Sequence, residues 1–215
     1  MIERPTTHNQ EATEQTANRY LVNLGLEWND LRGKQVLDIG ALNAEFESAA
    51  RRRGVEVISV DKVADGEYMP PIDSKFVVAN ATKLPFKDES FDYALAHMSV
   101  MNYMEDDYKD EDHILYIEDV LRETCRILKP EGQFRFTDTA LDDTDLRRGE
   151  DDVVPDRGSD TYKEWRMVRE HQLLEEMTRR VGFRELQLKR YPESHPEKDV
   201  YVLSHYYTAI KGGSN

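Results

Sequence analysis

The chain has 215 residues, enough for one domain with a proper core and too few for two full enzymatic domains. Its 29 Lys and Arg stand against 43 Asp and Glu, a net charge of −14 that repels phosphate backbones and anionic lipid and argues against nucleic-acid substrates. A single cysteine, Cys125, excludes an internal disulfide and a Cys-rich zinc site. No apolar run approaches the length that crosses a bilayer and Met1 to Gln10 lacks a signal-peptide core, so a cytoplasmic protein without membrane contact is expected.

In chain order, residues 1–10 read as a flexible terminus and 11–215 as one domain. Glu11 to Leu24 predicts a helix with Ala17, Tyr20, Leu21 and Leu24 on one side, ended by Gly25. Val36-Leu37-Asp38-Ile39-Gly40 reads as a buried strand turning sharply into a helix over Ala44 to Arg53. In open α/β sheets such a turn lies at the carboxyl edge, where glycine lets backbone N–H groups approach a ligand, so Asp38 and Gly40 mark a cofactor site.

Val55 to Asp61 supplies a second β-branched strand. Asp61 stands 23 residues after Asp38, close to the spacing at which an acidic side chain accepts hydrogen bonds from a ribose; the plain alternative is a turn residue. Lys62 and Val63 would then flank the adenine. Lys75 to Ala79 is a third strand after a Gly- and Pro-containing loop, and Tyr93 to Ala96 a fourth. A helix from about Asp112 to Leu128 buries Ile114, Ile117, Val120, Leu121, Cys125 and Leu128, which makes Cys125 a core residue. A turn at Lys129 to Gly132 leads to a fifth strand, Gln133 to Thr137.

Residues 142–160 form a polar insertion in which Asp142, Asp143, Asp145, Asp151, Asp152 and Asp156 lack the regular spacing of a calcium loop, so no metal is assigned and a solvated, mobile segment is expected, a lid or a partner surface. Tyr162 to Arg180 returns to helical period and Gly182 caps it. Phe183 to Arg190 and Asp199 to Lys211 read as two closing strands.

The motifs in this order resemble the class I S-adenosylmethionine-dependent methyltransferases. Asp38 and Gly40 match the family's apolar-apolar-Asp/Glu-x-Gly-x-Gly-x-Gly, with Leu42 and Ala44 at its second and third glycines. Asn80-Ala-Thr-Lys-Leu-Pro-Phe86 followed by Ser90-Phe-Asp92 resembles Asp-Ala-x-x-Leu-Pro-Phe and Ser-Phe-Asp. Arg122 and Leu128-Lys-Pro-x-Gly132 resemble Arg-x-Leu-Lys-Pro-Gly-Gly.

The resemblance implies a Rossmann-like, doubly wound α/β fold: a mostly parallel seven-stranded sheet with an antiparallel last strand and helices on both faces. It implies S-adenosylmethionine as cofactor. Asp38, Gly40 and Ala41 would hold the methionine end, Asp61 the ribose, and Asn80, Ala81 and Thr82 the adenine. Tyr20, on the helix that often covers the cofactor in this family, would touch it, or would pack on the sheet edge. The loop after strand four would face the methyl group, which makes His97, Asn102 and Tyr103 candidates for orienting or deprotonating a small-molecule acceptor; His171 is a further candidate on the acceptor side.

A methyltransferase acting mainly by proximity and orientation is the leading expectation. The alternative is a non-catalytic binding module, since a Cβ at position 42 or 44 narrows the path of the methionine end. A nicotinamide oxidoreductase is disfavoured, because Gly-x-Gly-x-x-Gly is absent after Asp38.

Overall fold

A computed structural model describes residues 7–63, 70–71, 73–99, 113–137, 146, 153–190 and 205–213. Seven strands form one sheet: β1 (Val36–Ile39), β2 (Val57–Asp61), β3 (Phe76–Val78), β4 (Phe91–Ala96), β5 (Leu128–Phe136), β6 (Phe183–Arg190) and β7 (His205–Lys211). Their order is β3-β2-β1-β4-β5-β7-β6. β1 to β5 pair in parallel, and β7 slots antiparallel between β5 and β6. This is the expected doubly wound sheet. Strand order reverses between β1 and β4, which opens a crevice beyond their carboxyl ends.

Among the described residues five helices cover the sheet: α1 (Thr7–Asn23), α2 (Trp28–Leu31), α3 (Glu45–Arg52), α4 (His113–Ile127) and α5 (Asp160–Val181). Side chains alternate across the strands and divide the core in two. Val36, Val57 and Leu95 pack with Ala17, Leu21, Leu24, Leu31, Phe46 and Ala49 of α1, α2 and α3. Leu37, Ile39, Ala94, Ala96, Phe134 and Phe136 pack with Tyr116, Ile117, Val120, Leu174 and Met177 of α4 and α5. The alternation puts Asp38 on the α1 face, between Val36 and the strand tip. Leu21 and Leu24 are almost wholly buried, and each contributes about 1.5 to 3 kcal/mol toward seating α1.

Most boundaries shift by one or two residues, and three departures are larger. α1 begins at Thr7, so Thr7 to Gln10 belong to it. α2 is a single turn too short to leave a periodic signal. β5 starts at Leu128, because Leu128 pairs with Phe91 while Gln133 pairs with Tyr93, and the expected turn becomes a bulge inside the strand. Glu131 has φ +63° there, and a Cβ on Gly132 would lie 2.8 Å from the Lys129 carbonyl, so that glycine is obligatory. Cys125 is buried as expected. Residues 199–204 of the expected last strand and most of the 142–160 insertion lie outside the described residues.

Candidate active site at the carboxyl edge of the sheet

The turn after β1 closes over the tip of β2. The N–H groups of Gly40 and Ala41 both donate to the Val60 carbonyl, at 2.8 and 3.0 Å. Leu42 N donates to Asp61 Oδ2 at 2.9 Å and Val63 N to Oδ1 at 3.1 Å. One carboxylate thus orders both loops around it and keeps lone pairs free for further donors. Lys62 is exposed beside it.

Leu42 and Ala44 adopt φ +47° and +58°, the left-handed angles the missing glycines would supply, at a cost of roughly 1 to 2 kcal/mol each. The Leu42 side chain is 54 % exposed and Ala44 is fully buried at the start of α3. Leu42 is therefore turned toward solvent and not packed into the interior as a plug. The loop keeps the shape of a glycine turn without two of its glycines.

Asp38 is 2 % exposed, and Oδ1 accepts a 2.5 Å hydrogen bond from the Tyr20 hydroxyl. Burial raises the Asp38 carboxyl to about 7, with the charge of Asp61 adding to it and the Tyr20 bond opposing it. Burial and the neighbouring Asp38 hold the Tyr20 phenol well above its usual range. The Tyr20 ring stacks on Phe46 with centroids 4.3 Å apart and lies 5.0 Å from His97.

His97 follows β4 directly. Burial, helped by the charge of Arg19, lowers it to about 4, so the imidazole is neutral at pH 7. Asn23 Nδ2 sits 2.8 Å from Nε2. With the amide assigned this way its nitrogen donates, so that assignment gives Nε2 the lone pair and Nδ1 the ring proton. Asn23 is 1 % exposed and its Oδ1 has no partner among the described residues. The segment after His97 is pinned on both sides: Ser99 Oγ donates to the Ile39 carbonyl at 2.8 Å, and Met98 N donates to Thr137 Oγ1 at 2.9 Å.

Beyond β3, Asn80 Oδ1 accepts from both Thr82 N and Thr82 Oγ1, at 2.8 and 2.7 Å, while Ala81 is buried beneath. The amide Nδ2 of Asn80 is then the group that could meet a base edge. The Leu84 to Phe86 segment is clamped by α4. Leu84 N donates to Glu123 Oε2 at 2.9 Å, and Arg126 donates to the carbonyls of Leu84 and Phe86 at 2.9 and 2.8 Å. Arg126 also pairs with Asp88 and Glu123. Arg126, two residues before Leu128-Lys129-Pro130, is the arginine that fits Arg-x-Leu-Lys-Pro, a correction to the assignment of Arg122, whose partners among the described residues are Glu118 and Asp119 of its own helix.

Tyr20, Asp38 and His97 thus meet in one cluster, with Asp61 at the next strand tip and Asn80 to Thr82 beyond it. Asn102 and Tyr103 lie outside the described residues. His171 is elsewhere, on α5, stacked on Tyr207 of β7 two strands away from β4. Among the described residues no three His, Cys, Asp or Glu gather to hold a metal. Asn23, Ser99, Thr137, Glu123 and Arg126 were not singled out as site residues from the sequence. Only the three-residue spacing of Tyr20 and Asn23, which places both on one helical face, offered a signal.

A buried carboxyl with a single hydrogen bond is stabilised in its charged form by a cation, and Asn23 Oδ1 lacks a donor. The cluster thus fits a ligand that brings positive charge and N–H groups.

Residues 37–136 match the model of a family described as a methyltransferase domain. The ubiquinone/menaquinone biosynthesis C-methyltransferase UbiE of Rickettsia massiliae is 40 % identical over 60 residues, 28 % of this chain and 20 % of that protein. An uncharacterised protein of Methanocaldococcus jannaschii is 33 % identical over 107 residues, 49 % of this chain and 37 % of that one. The matched stretch thus spans between a fifth and two fifths of these relatives. A SAM-dependent methyltransferase from Archaeoglobus fulgidus shares the fold at TM-score 0.54 and 15 % identity, over 94 % of this chain and 93 % of that chain.

Proposed function

We propose that the chain, whose residues 37–136 match a methyltransferase domain, is a class I S-adenosylmethionine-dependent methyltransferase that methylates a small-molecule acceptor at oxygen, nitrogen or carbon. The observation that carries the reading is the pair of carboxylates at adjoining strand tips, Asp38 on β1 and Asp61 on β2, under an α1 that also reaches His97. Asp38 meets the cationic methionine end beside Gly40 and Ala41, whose own N–H groups hold the turn shut on Val60. Asp61 takes the ribose, with Lys62 alongside. Asn80, Ala81 and Thr82 take the adenine, and Tyr20 covers the cofactor from α1.

The cofactor supplies a methyl group on an already activated sulfonium leaving group. The protein has mainly to align acceptor and methyl and exclude water, effects that account for on the order of 7 to 11 kcal/mol in favourable cases. A strong base is not required. Neutral His97, with its Nε2 lone pair engaged by Asn23, orients an acceptor through its ring and its Nδ1 proton. Asn102 and Tyr103 follow it in the same segment and complete the acceptor side.

The proposal extends to a single domain over 11–215 in the cytoplasm, with residues 142–160 acting as a lid or partner surface. The net charge of −14 supports a small acceptor over a nucleic acid. Among the described residues no helix is long and apolar enough to cross a membrane. Calorimetric titration of the folded protein with S-adenosylmethionine and its demethylated product tests the reading. Binding of both is expected; no heat with either at high micromolar concentration would leave a non-catalytic binding module.

A further inference from the structure

The last turn of α1 is tied to three neighbouring strands in their order in the sheet. Tyr20 reaches Asp38 of β1, Asn23 reaches His97 just beyond β4, and the carbonyls of Leu24 and Gly25 accept from Arg135 Nη1 of β5 at 3.0 and 2.8 Å. Arg135 is itself held from two sides. Its Nε and Nη2 donate to Gln133 Oε1 at 3.1 and 2.9 Å, and its guanidinium lies 5.8 Å from the centre of the Tyr206 ring on β7. Gly25 has φ +61°, and a Cβ there would come within 2.0 Å of the Tyr206 hydroxyl, so only glycine admits this closeness.

The end of a helix leaves carbonyl groups unpaired and partly negative. α1 has no basic residue in its own last turn; its Leu21 and Val22 carbonyls accept from Leu24, Leu26 and Gly25 N–H groups, and Arg135 holds the two carbonyls just past its end from across the sheet. The register of α1 matters because one residue of slip turns the helix by about 100° and would carry Asn23 off His97. Asn23 cannot fix that register alone, since one end of its amide has no partner.

We propose that Arg135 is a positioning residue: by holding the Leu24 and Gly25 carbonyls that directly follow α1 it sets Asn23 against His97 and so fixes the tautomer and direction of the imidazole. The inference rests on reading this edge as the transferase site, yet its local claim can be tested without any ligand.

The ring nitrogens of His97 in isotope-labelled protein report the tautomer by long-range proton–nitrogen correlation. A single Nδ1–H form is expected in the wild type and in Asn23-intact Arg135→Lys, which keeps a cation at the helix end. A mixture of tautomers is expected in Arg135→Met and in Asn23→Ala, and Arg135→Met should lose kcat/KM on the order of a hundredfold, as a misplaced group does. An unchanged single tautomer in Arg135→Met overturns the proposal. If that variant does not fold, Tyr206→Leu removes the ring beside the guanidinium and is read in the same way. A wild type that binds no S-adenosylmethionine while Arg135→Met still mixes the tautomers removes the transferase reading and keeps the positioning role.

Discussion

Asp38 carries a pH signature whose sign follows from its surroundings. Burial raises its carboxyl from 3.8 to about 7, so between those values the folded chain keeps a proton that the unfolded chain releases. Stability is then full below the unfolded value and falls as pH rises through the folded one. Asp38→Asn removes this titration. Thermal denaturation should show a flatter dependence between about pH 4 and 7 and a higher Tm above that range. The same variant should bind S-adenosylmethionine more weakly, because the cation loses its charged partner. A variant with the wild-type slope would detach the effect from Asp38.

Asp61 makes a second case. Asp61→Ala is expected to weaken cofactor binding by about 1 to 3 kcal/mol, since the carboxylate both offers charge-assisted hydrogen bonds and orders Leu42 and Val63. Calorimetric affinity equal to wild type would displace the ribose from this strand tip.

Among the elements, α4 does more than fill the core. Its Glu123 and Arg126 hold the Leu84 to Phe86 segment by three hydrogen bonds to backbone groups. Arg126→Met leaves two carbonyls without their donor, and a loss of about 2 kcal/mol in urea unfolding is expected. Arg122→Met, whose partners are all on its own helix, should cost well under 1 kcal/mol, as exposed ion pairs do. Similar losses in the two variants would argue against the clamp. This contrast also marks what the sequence could show. The Leu-Pro-Phe block was legible because its residue types are unusual together. The arginine that fastens it is also fixed by spacing, since Arg-x-Leu-Lys-Pro falls on Arg126 and not on Arg122; what no local pattern shows is that this side chain reaches back to Leu84 and Phe86. α2 and the β5 bulge escaped for a different reason: one turn of helix and a four-residue excursion are shorter than the periods that reveal structure. Asn23 and Ser99 act on residues 74 and 60 positions away, and no local pattern encodes such pairings.

At the scale of the whole molecule, a mostly parallel α/β sheet was legible because apolar runs alternate with helical periods, and the antiparallel last strand because the motifs resemble those of one family, whereas the strand order comes from the structure. The site follows from that topology, since the reversal between β1 and β4 brings Asp38 and His97 under one helix. Ligand binding should therefore couple to global stability and to pH together. The demethylated cofactor at a hundred times its Kd should stabilise the fold by about 2.7 kcal/mol. For a chain of this length each kcal/mol moves Tm by about 2 to 4 °C, so a rise of roughly 5 to 11 °C is expected near pH 8. At fixed ligand concentration the rise should shrink near pH 6, because Asp38 is then largely protonated and affinity falls by up to about tenfold per pH unit below its pKa. Each tenfold loss of affinity removes about 1.4 kcal/mol, a difference that calorimetric scans resolve. An equal rise at both pH values would mean that the ligand's cation does not rest on Asp38, and the orientation of the cofactor along the β1 and β2 tips would have to be reversed.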